Sequence, residues 1–131
     1  KNNDIIKPEV FFNKETRFDF LLEKKGQKIF VEVKNVTLFR QINTAEFPDA
    51  ITSRGKKHLI ELINAKKRGY QCYILFLIQK EKCDSFKIAE DIDKDYKTSF
   101  NSAIKKGIKI LCYDCKLTNE EIILNRQINY E

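Results

Sequence analysis

Two acidic residues and a lysine lie on predicted strands that a short turn joins. Asp19 comes before the dipeptide Lys25-Gly26, and Glu32 and Lys34 come after it. A residue followed by glycine at this point favours a two-residue hairpin turn. With that turn, antiparallel pairing places Asp19 opposite Glu32 and Arg17 opposite Lys34. The sequence therefore predicts that two carboxylates meet at one point of the sheet, with cations beside them.

Two opposed carboxylates destabilise a sheet unless another group neutralises their charge. Mg²⁺ (or Mn²⁺) would do so, since hard cations take carboxylate oxygens as ligands. With Asp19 and Glu32 as metal ligands, the cation would activate water for attack on a phosphodiester, and Lys34 would orient that water or stabilise the developing charge. The alternative is a solvated strand rim with a three-residue turn, which would shift the register by one residue.

The opposite face of the same hairpin is apolar. It carries Phe18, Phe20, Leu22, Ile29, Val31 and Val33. Because an unbroken apolar face belongs against a core, we expect these side chains to be buried.

Hydrophobic periodicity and turn residues predict the rest of the chain. The expected strands are Lys7 to Phe12, Arg17 to Leu22, Ile29 to Val36, Tyr70 to Ile78 and Ile108 to Tyr113, and the expected helices are Ala50 to Arg68 and Asp93 to Lys106. Thr37 to Pro48 is expected to be irregular, and Glu121 to Ile128 fits a strand or a helix. A meander followed by two crossovers predicts a single α/β domain, with a mixed central sheet flanked by helices that cover its faces.

The first predicted helix carries an apolar stripe and a basic group. Ile51, Leu59, Leu62 and Ile63 form the stripe. Arg54, Lys57 and His58 lie near the helix start, where cations and free N–H groups could bind DNA phosphates; the alternative is a solvated stripe. Asp49 could support a metal ligand by hydrogen bonding or cap the helix, and capping is the simpler interpretation.

Composition and charge limit the classes of molecule that we expect the protein to bind. Twenty-five Lys and Arg against 19 Asp and Glu give a net charge of +6, which favours polyanions as partners or serves solubility alone. No apolar stretch is long enough to cross a membrane. We interpret Cys72, Cys83, Cys112 and Cys115 as buried thiols of a reducing, cytoplasmic compartment; a zinc site at Cys112 and Cys115 is the weaker alternative.

Three segments resemble a known family. Residues 17–22 (RFDFLL), 31–38 (VEVKNVTL) and 47–59 (FPDAITSRGKKHL) are similar to the sugar fermentation stimulation protein A (SfsA) family, and the likeness runs from Glu9 to the C-terminus, nearly the whole chain. Asp19 followed by Glu32-Val33-Lys34 also resembles the PD-(D/E)xK nuclease pattern. The resemblance implies a restriction-endonuclease-like fold and association with DNA, and by position it makes Glu9 a further metal ligand.

The resemblance leaves two functions open. One is a Mg²⁺-dependent DNA endonuclease with Asp19, Glu32 and Lys34 as catalytic residues. The other is a non-catalytic DNA-binding regulator of sugar metabolism that keeps the nuclease fold. In either case we expect DNA to be bound without strong sequence specificity, with Arg17 among the phosphate-binding residues. The family's N-terminal OB-like domain is expected to precede this chain, which starts with Lys1, and the oligomeric state is left open, a homodimer being one option.

Overall fold

Two β-sheets and two helices make up the part of the chain that the computed structural model describes, residues 5–117 and 122–130. The strands are β1 (Ile5–Phe11), β2 (Arg17–Lys24), β3 (Gln27–Val36), β4 (Leu38–Gln41), β5 (Thr44–Phe47), β6 (Gln71–Ile78), β7 (Ser85–Ile88), β8 (Lys109–Leu117), β9 (Ile122–Gln127) and β10 (Asn129–Tyr130), and the helices are α1 (Ser53–Lys67) and α2 (Lys94–Lys105). The larger sheet has the order β1-β2-β3-β6-β8-β9, and the smaller has the order β10-β7-β5-β4. The predicted α/β class with a mixed central sheet is confirmed.

The hairpin of β2 and β3 has the predicted turn. Lys24 pairs with Gln27 and Phe20 with Val31, so Lys25 and Gly26 form the whole turn. Both have positive φ, 53° and 81°, as the two-residue turn that matches strand twist requires. Glycine reaches this conformation without steric cost. The register is therefore the expected one from Lys24 to Phe20, and the predicted oppositions of Asp19 with Glu32 and of Arg17 with Lys34 lie beyond this regular pairing.

Both helices lie on the same face of the larger sheet. Strands β3, β6 and β8 are parallel and follow one another across the sheet. Because such crossovers are right-handed almost without exception, successive steps in one direction put their helices on one side. The expectation that helices cover both faces is therefore wrong for the described residues.

The core lies between this face and the two helices, and the smaller sheet completes it. Alternate residues of β6 are buried there, and Phe76 contacts the rings of Phe47, Phe86 and Phe100. Of the hairpin residues predicted as core, Phe18 is buried, but Phe20 is 38% exposed. The helices cover the face that carries Leu21 and Phe30, which are buried. Periodicity separates the two faces of a strand, but the crossovers decide which face the helices cover.

Strand β2 departs from simple alternation near Asp19. Phe18 and Leu21, three residues apart, are both buried. Phe18 packs on the rings of Phe12 and Phe30. The regular pairing of β2 with β3 ends at Phe20 and Val31. Beyond that pair, the backbone groups of β3 that face β2 can form hydrogen bonds with side chains instead of with the β2 backbone.

The segment expected to be irregular, Thr37 to Pro48, contains β4 and β5. It folds because β5 pairs in parallel with β7, about 40 residues further along the chain. Arg40, on β4, holds these segments together. Its guanidinium contacts the buried carboxylate of Glu46, on β5, at 2.6 Å and the carboxylate of Asp91, after β7, at 2.7 Å. Strand β4 pairs only with the adjacent β5, and β5 and β7 pair with each other across a long sequence separation. Strands of four residues are too short for a periodic signal, which is why these three escape prediction.

The starts of the helices correct two expectations. Thr52, not Asp49, caps α1, its hydroxyl accepting the N–H of Gly55 at 2.9 Å. Asp49 is exposed. Ile51, predicted in the apolar stripe, lies before the helix and is 79% exposed. The tail left open between strand and helix forms β9 where it is described, and its start lies outside the described residues.

Candidate metal site and cationic cleft

Glu32 lies at the centre of the site. It sits in the middle of β3, on the face that α1 covers, and is only 4% exposed. Its Oε1 accepts the backbone N–H of Asp19 at 3.3 Å. Its Oε2 lies 2.6 Å from Nδ1 of His58 and 3.4 Å from Nζ of Lys34. A buried carboxylate needs hydrogen-bonding or charged partners to be stable, and each oxygen of Glu32 has at least one.

Asp19 meets Glu32 from the neighbouring strand. Its Oδ2 accepts the backbone N–H of Val33 at 2.7 Å. Burial is the main reason why the pKa of Asp19 is raised; the Val33 hydrogen bond opposes this, and the adjacent charge of Glu32 adds to it. The two carboxyl groups are therefore close enough to interact, although Asp19 lies beyond the regular pairing of β2 with β3. The charged form of Asp19 lacks full compensation from the protein.

His58 and Lys34 neutralise the other carboxylate. Nζ of Lys34 also lies 3.1 Å from Nδ1 of His58. One ring nitrogen cannot both donate and accept, and the 2.6 Å contact favours donation from Nδ1 to Glu32. Burial alone would raise the pKa of Glu32, but the His58 hydrogen bond and the Lys34 charge outweigh it and bring the pKa below its usual value. Glu32 is thus ionised and held in place.

The predicted phosphate-binding residues converge on one cleft. Arg17, Arg54, Lys57 and His58 line a cavity of about 430 Å³ together with Phe11, Glu15 and Thr16. We call it the cationic cleft. His58 belongs both to this cleft and to the Glu32 cluster. His58 is therefore the link between the cleft and Glu32, and Lys57 in the cleft already contacts Glu15 at 3.5 Å.

Glu9 and Asp19 open on a different hollow. They line a cavity of about 530 Å³ with Val33, Asn35 and Leu75 among its walls. The Glu9 carboxylate lies 3.3 Å from the Arg17 guanidinium. Within the described residues, no group of three or more Asp, Glu, His or Cys side chains is arranged to hold a metal ion. The structure thus brings Asp19 and Glu32 together and leaves Glu9 paired with Arg17.

Asp93 fixes the elements that present His58. Its carboxylate accepts the backbone N–H of Tyr96, at the start of α2, at 3.0 Å and that of Thr52, before α1, at 2.9 Å. One buried side chain thereby ties the starts of both helices together. Gly55 lies between them, where an added Cβ would come within 2.9 Å of the Thr52 side chain. The first turn of α1 is therefore closely positioned over the sheet.

Sequence reasoning missed two features of the site. It assigned His58 to DNA phosphates, but the ring contacts Glu32. It gave Asp93 no role beyond the start of a helix. A lone histidine and a capping aspartate are local signals, and neither indicates a partner 26 or 41 positions away in the chain.

Two further expectations concern the state of the four cysteines and the presence of membrane-spanning segments. All four cysteines are free and buried, as predicted, and burial raises the pKa of both Cys72 and Cys112 to about 12. A register shift between Tyr113 and Cys115 leaves both Cys112 and Cys115 buried on the same strand. Neither helix in the described ranges has the length and apolar character needed to span a bilayer.

Comparisons of the sequence with known proteins agree on one family. The family model of the sugar fermentation stimulation protein RE domain matches residues 1–121. A sugar fermentation stimulation protein homolog of Pelagibacter ubique is 61% identical over 127 residues, which cover 97% of this chain and 55% of that protein. The homolog of Roseobacter denitrificans is 43% identical over 118 residues, covering 89% of this chain and 50% of the other. The chain thus spans about half the length of these relatives.

A solved structure has a similar fold. The structure described as Pyrococcus furiosus SfsA in complex with Ca²⁺ superimposes with a TM-score of 0.86 at 28% identity, covering 95% of this chain and 54% of that one.

Proposed function

Because this chain belongs to the sugar fermentation stimulation protein (SfsA) family, we propose that it binds DNA and hydrolyses phosphodiester bonds with the help of Mg²⁺ or Mn²⁺. The proposed metal ligands are Asp19 and Glu32, and Lys34 is the third catalytic residue. We further propose that the mixed α/β fold is of the restriction-endonuclease-like type. The observation that carries the proposal is the contact between Asp19 and Glu32, whose Oε1 accepts the Asp19 N–H at 3.3 Å, with Lys34 Nζ 3.4 Å from Glu32.

The chemistry of the acidic pair fits a hard divalent cation. The raised pKa of Asp19, caused first by burial and further by the charge of Glu32, means that a positive charge beside it would be favourable. Two carboxylates suffice for Mg²⁺, which completes its shell with water and substrate phosphates. The solved relative named as a Ca²⁺ complex supports a cation of this class. Bound there, such an ion would neutralise charge that develops on a phosphate.

The remaining residues have roles that follow from their positions. Lys34 can donate to a phosphate oxygen or to a water near the acidic pair. His58 holds the Glu32 carboxylate in one orientation through the 2.6 Å contact. Arg17, Arg54 and Lys57 can hold the backbone of the strand in the cationic cleft. Because these cations contact phosphates rather than base edges, we expect little sequence specificity.

The alternative function is a DNA-binding regulator of sugar metabolism without turnover. One observation favours it: Lys34 and His58 already satisfy the Glu32 carboxylate. A cation would have to displace at least part of this pairing. The buried thiols fit a cytoplasmic protein in either case.

The two functions differ in metal-stimulated cleavage. Purified protein is incubated with plasmid and linear DNA in Mg²⁺, Mn²⁺ or EDTA, beside Glu32→Gln and Lys34→Ala. Glu23→Gln and Lys28→Ala are matched controls, because they lie on the same two strands and pair with each other away from the site. We expect cleavage by the wild type and both controls, and a loss of about 100-fold or more in the two site variants with DNA binding retained. DNA binding without metal-stimulated cleavage in the wild type would establish the regulator instead.

A further inference from the structure

An exposed aromatic ring stands in the wall of the cationic cleft. Phe11, at the end of β1, is 62% exposed and lines the cleft beside Arg17, Arg54, Lys57 and His58. The Arg17 guanidinium lies 5.7 Å from the centre of the Phe11 ring, in cation–π contact. The contact restrains the ring while most of the side chain stays open to a ligand.

A phosphate group alone does not require an aromatic wall. Cations suffice for the DNA backbone, and exposing a phenyl ring to water is unfavourable. Basic side chains interleaved with an aromatic ring are instead typical of surfaces that bind unpaired nucleotides. In these surfaces the cations follow the phosphates and the ring stacks on a base. A base inside a duplex is already stacked on its neighbours and cannot use the ring without leaving the helix.

The size and place of the cleft agree with this ligand. Its volume of about 430 Å³ is in the range of pockets that hold one small molecule rather than a duplex. His58 lines the cleft and contacts Glu32 at 2.6 Å. A nucleotide in the cleft would therefore lie beside His58, the residue that links the cleft to Glu32.

We propose that the cationic cleft binds one unpaired nucleotide of a DNA strand, with its base stacked on Phe11 and its phosphates held by Arg54 and Lys57. The inference rests on the proposed DNA-binding function and narrows its substrate to single-stranded segments or frayed strand ends. Glu15 limits the affinity, since it contacts Lys57 at 3.5 Å and its charge repels phosphate.

The test is a comparison of single-stranded and duplex DNA by fluorescence anisotropy, in EDTA so that binding is measured without cleavage. We expect the wild type to bind a short single strand at least about tenfold more tightly than a blunt duplex of the same sequence. Phe11→Ala should weaken single-strand binding by about 10- to 100-fold and leave duplex binding unchanged. Phe11→Tyr should restore it, because the ring is kept.

Charge variants test the cleft independently of the ring. Arg54→Ala and Lys57→Ala should each weaken binding and reduce the salt dependence of the single-strand affinity by about 0.7 in log–log slope. Glu15→Gln should tighten binding. Lys105→Ala, in the last turn of α2, removes the same charge away from the cleft and should change neither the affinity difference nor the slope by a comparable amount.

The outcomes separate this inference from the proposed catalysis. Equal or tighter duplex binding, or an equal effect of Phe11→Ala on both probes, overturns the nucleotide site even if Mg²⁺-dependent cleavage is found. Failure to bind either probe overturns it as well. Preferential, Phe11-dependent binding of the single strand with no cleavage in Mg²⁺ or Mn²⁺ supports the site and refutes the nuclease.

Discussion

The imidazole of His58, on α1, contacts the carboxylate of Glu32, on β3, with 2.6 Å between Nδ1 and Oε2. This contact joins the helical layer to the sheet at the point where Asp19 and Lys34 also converge. It supplies positive or hydrogen-bonding character to a carboxylate that is otherwise buried. The acidic site is therefore a packed, internally bonded cluster, and its charge state is linked to the stability of the fold.

Glu32→Gln should destabilise the protein in a pH-dependent way. Burial raises the pKa of Glu32, but the His58 hydrogen bond and the Lys34 charge lower it further than burial raises it. A carboxyl whose folded pKa is lowered contributes stability above its unfolded pKa, about 4.3, and loses it as the pH falls through the folded value. We expect a loss of roughly 2–4 kcal/mol at pH 7, which shrinks at pH 3.

Urea unfolding of the wild type, Glu32→Gln and the control Glu23→Gln at both pH values measures this difference. An equal loss at pH 7 and pH 3 would show that the amide acts through packing rather than charge.

Asp19→Asn should stabilise the metal-free protein at neutral pH. The pKa of Asp19 is raised, by burial first and then by the charge of Glu32 against the opposing Val33 hydrogen bond. A raised carboxyl pKa means that stability is lost as the pH rises through the folded value, so removing the charge restores it. Asparagine keeps an oxygen that can accept the N–H of Val33.

Thermal melting in EDTA tests this prediction. The Tm of Asp19→Asn should exceed that of the wild type at pH 7 and match it near pH 3, below the unfolded pKa of about 3.9. Mg²⁺ should then raise the Tm of the wild type more than that of the variant. Asp84→Asn, which changes an exposed carboxylate just before β7, is the control. A lower Tm for Asp19→Asn at pH 7, with the control unchanged, would contradict the interpretation of the acidic pair.

Asp93→Ala should loosen the starts of both helices at once. The side chain accepts the N–H groups of Thr52 and Tyr96 at 2.9 and 3.0 Å, and neither would find an equal acceptor after its removal. We expect a loss of about 2–3 kcal/mol in the free energy of unfolding.

Because α1 carries His58, DNA binding should also weaken in Asp93→Ala. The control is Asp95→Ala, which removes an exposed carboxylate in the first turn of α2. It should lower the free energy of unfolding by about 0.5 kcal/mol or less. Similar losses in the two variants would mean that Asp93 acts only as an ordinary surface charge.

Asp114→Asn should release the edge of the larger sheet. The buried carboxylate accepts the backbone N–H of Lys82 at 3.1 Å and that of Arg126 at 2.7 Å, and the Arg126 guanidinium lies 3.3 Å away. An amide removes the charge and one acceptor, so we expect a loss of roughly 2–4 kcal/mol. Hydrogen exchange should accelerate first in β9. Uniform acceleration across both sheets, or none, would argue against this local role.

The sequence alone determined the hairpin and what it carries. Lys25-Gly26 fixes the turn and the register from Lys24 to Phe20, and side-chain alternation places Glu32 and Lys34 on one face of β3. Regular pairing ends before Asp19, so its approach to Glu32 also depends on the local departure of β2 from alternation. The sequence also determined α1, β6 and α2, whose apolar periodicity is strong. Gly69, Asp93 and Gly107 mark ends that the sequence predicts, whereas the cap of α1 was expected at Asp49 and is Thr52. The basic residues near the start of α1 could likewise be assigned to one surface.

Only the tertiary structure decided what covers the hairpin. Side-chain alternation separates the two faces of β3 but does not show which of them the helices cover. The prediction that the face with Phe20 and Val31 lies in the core was therefore wrong. The path of the crossovers across the sheet settles it, and that path depends on contacts between residues far apart in the chain. The same long-range packing turns His58 from a candidate phosphate ligand into the partner of Glu32, brings Phe11 beside Arg54, and forms β5 and β7 from segments with no local signal.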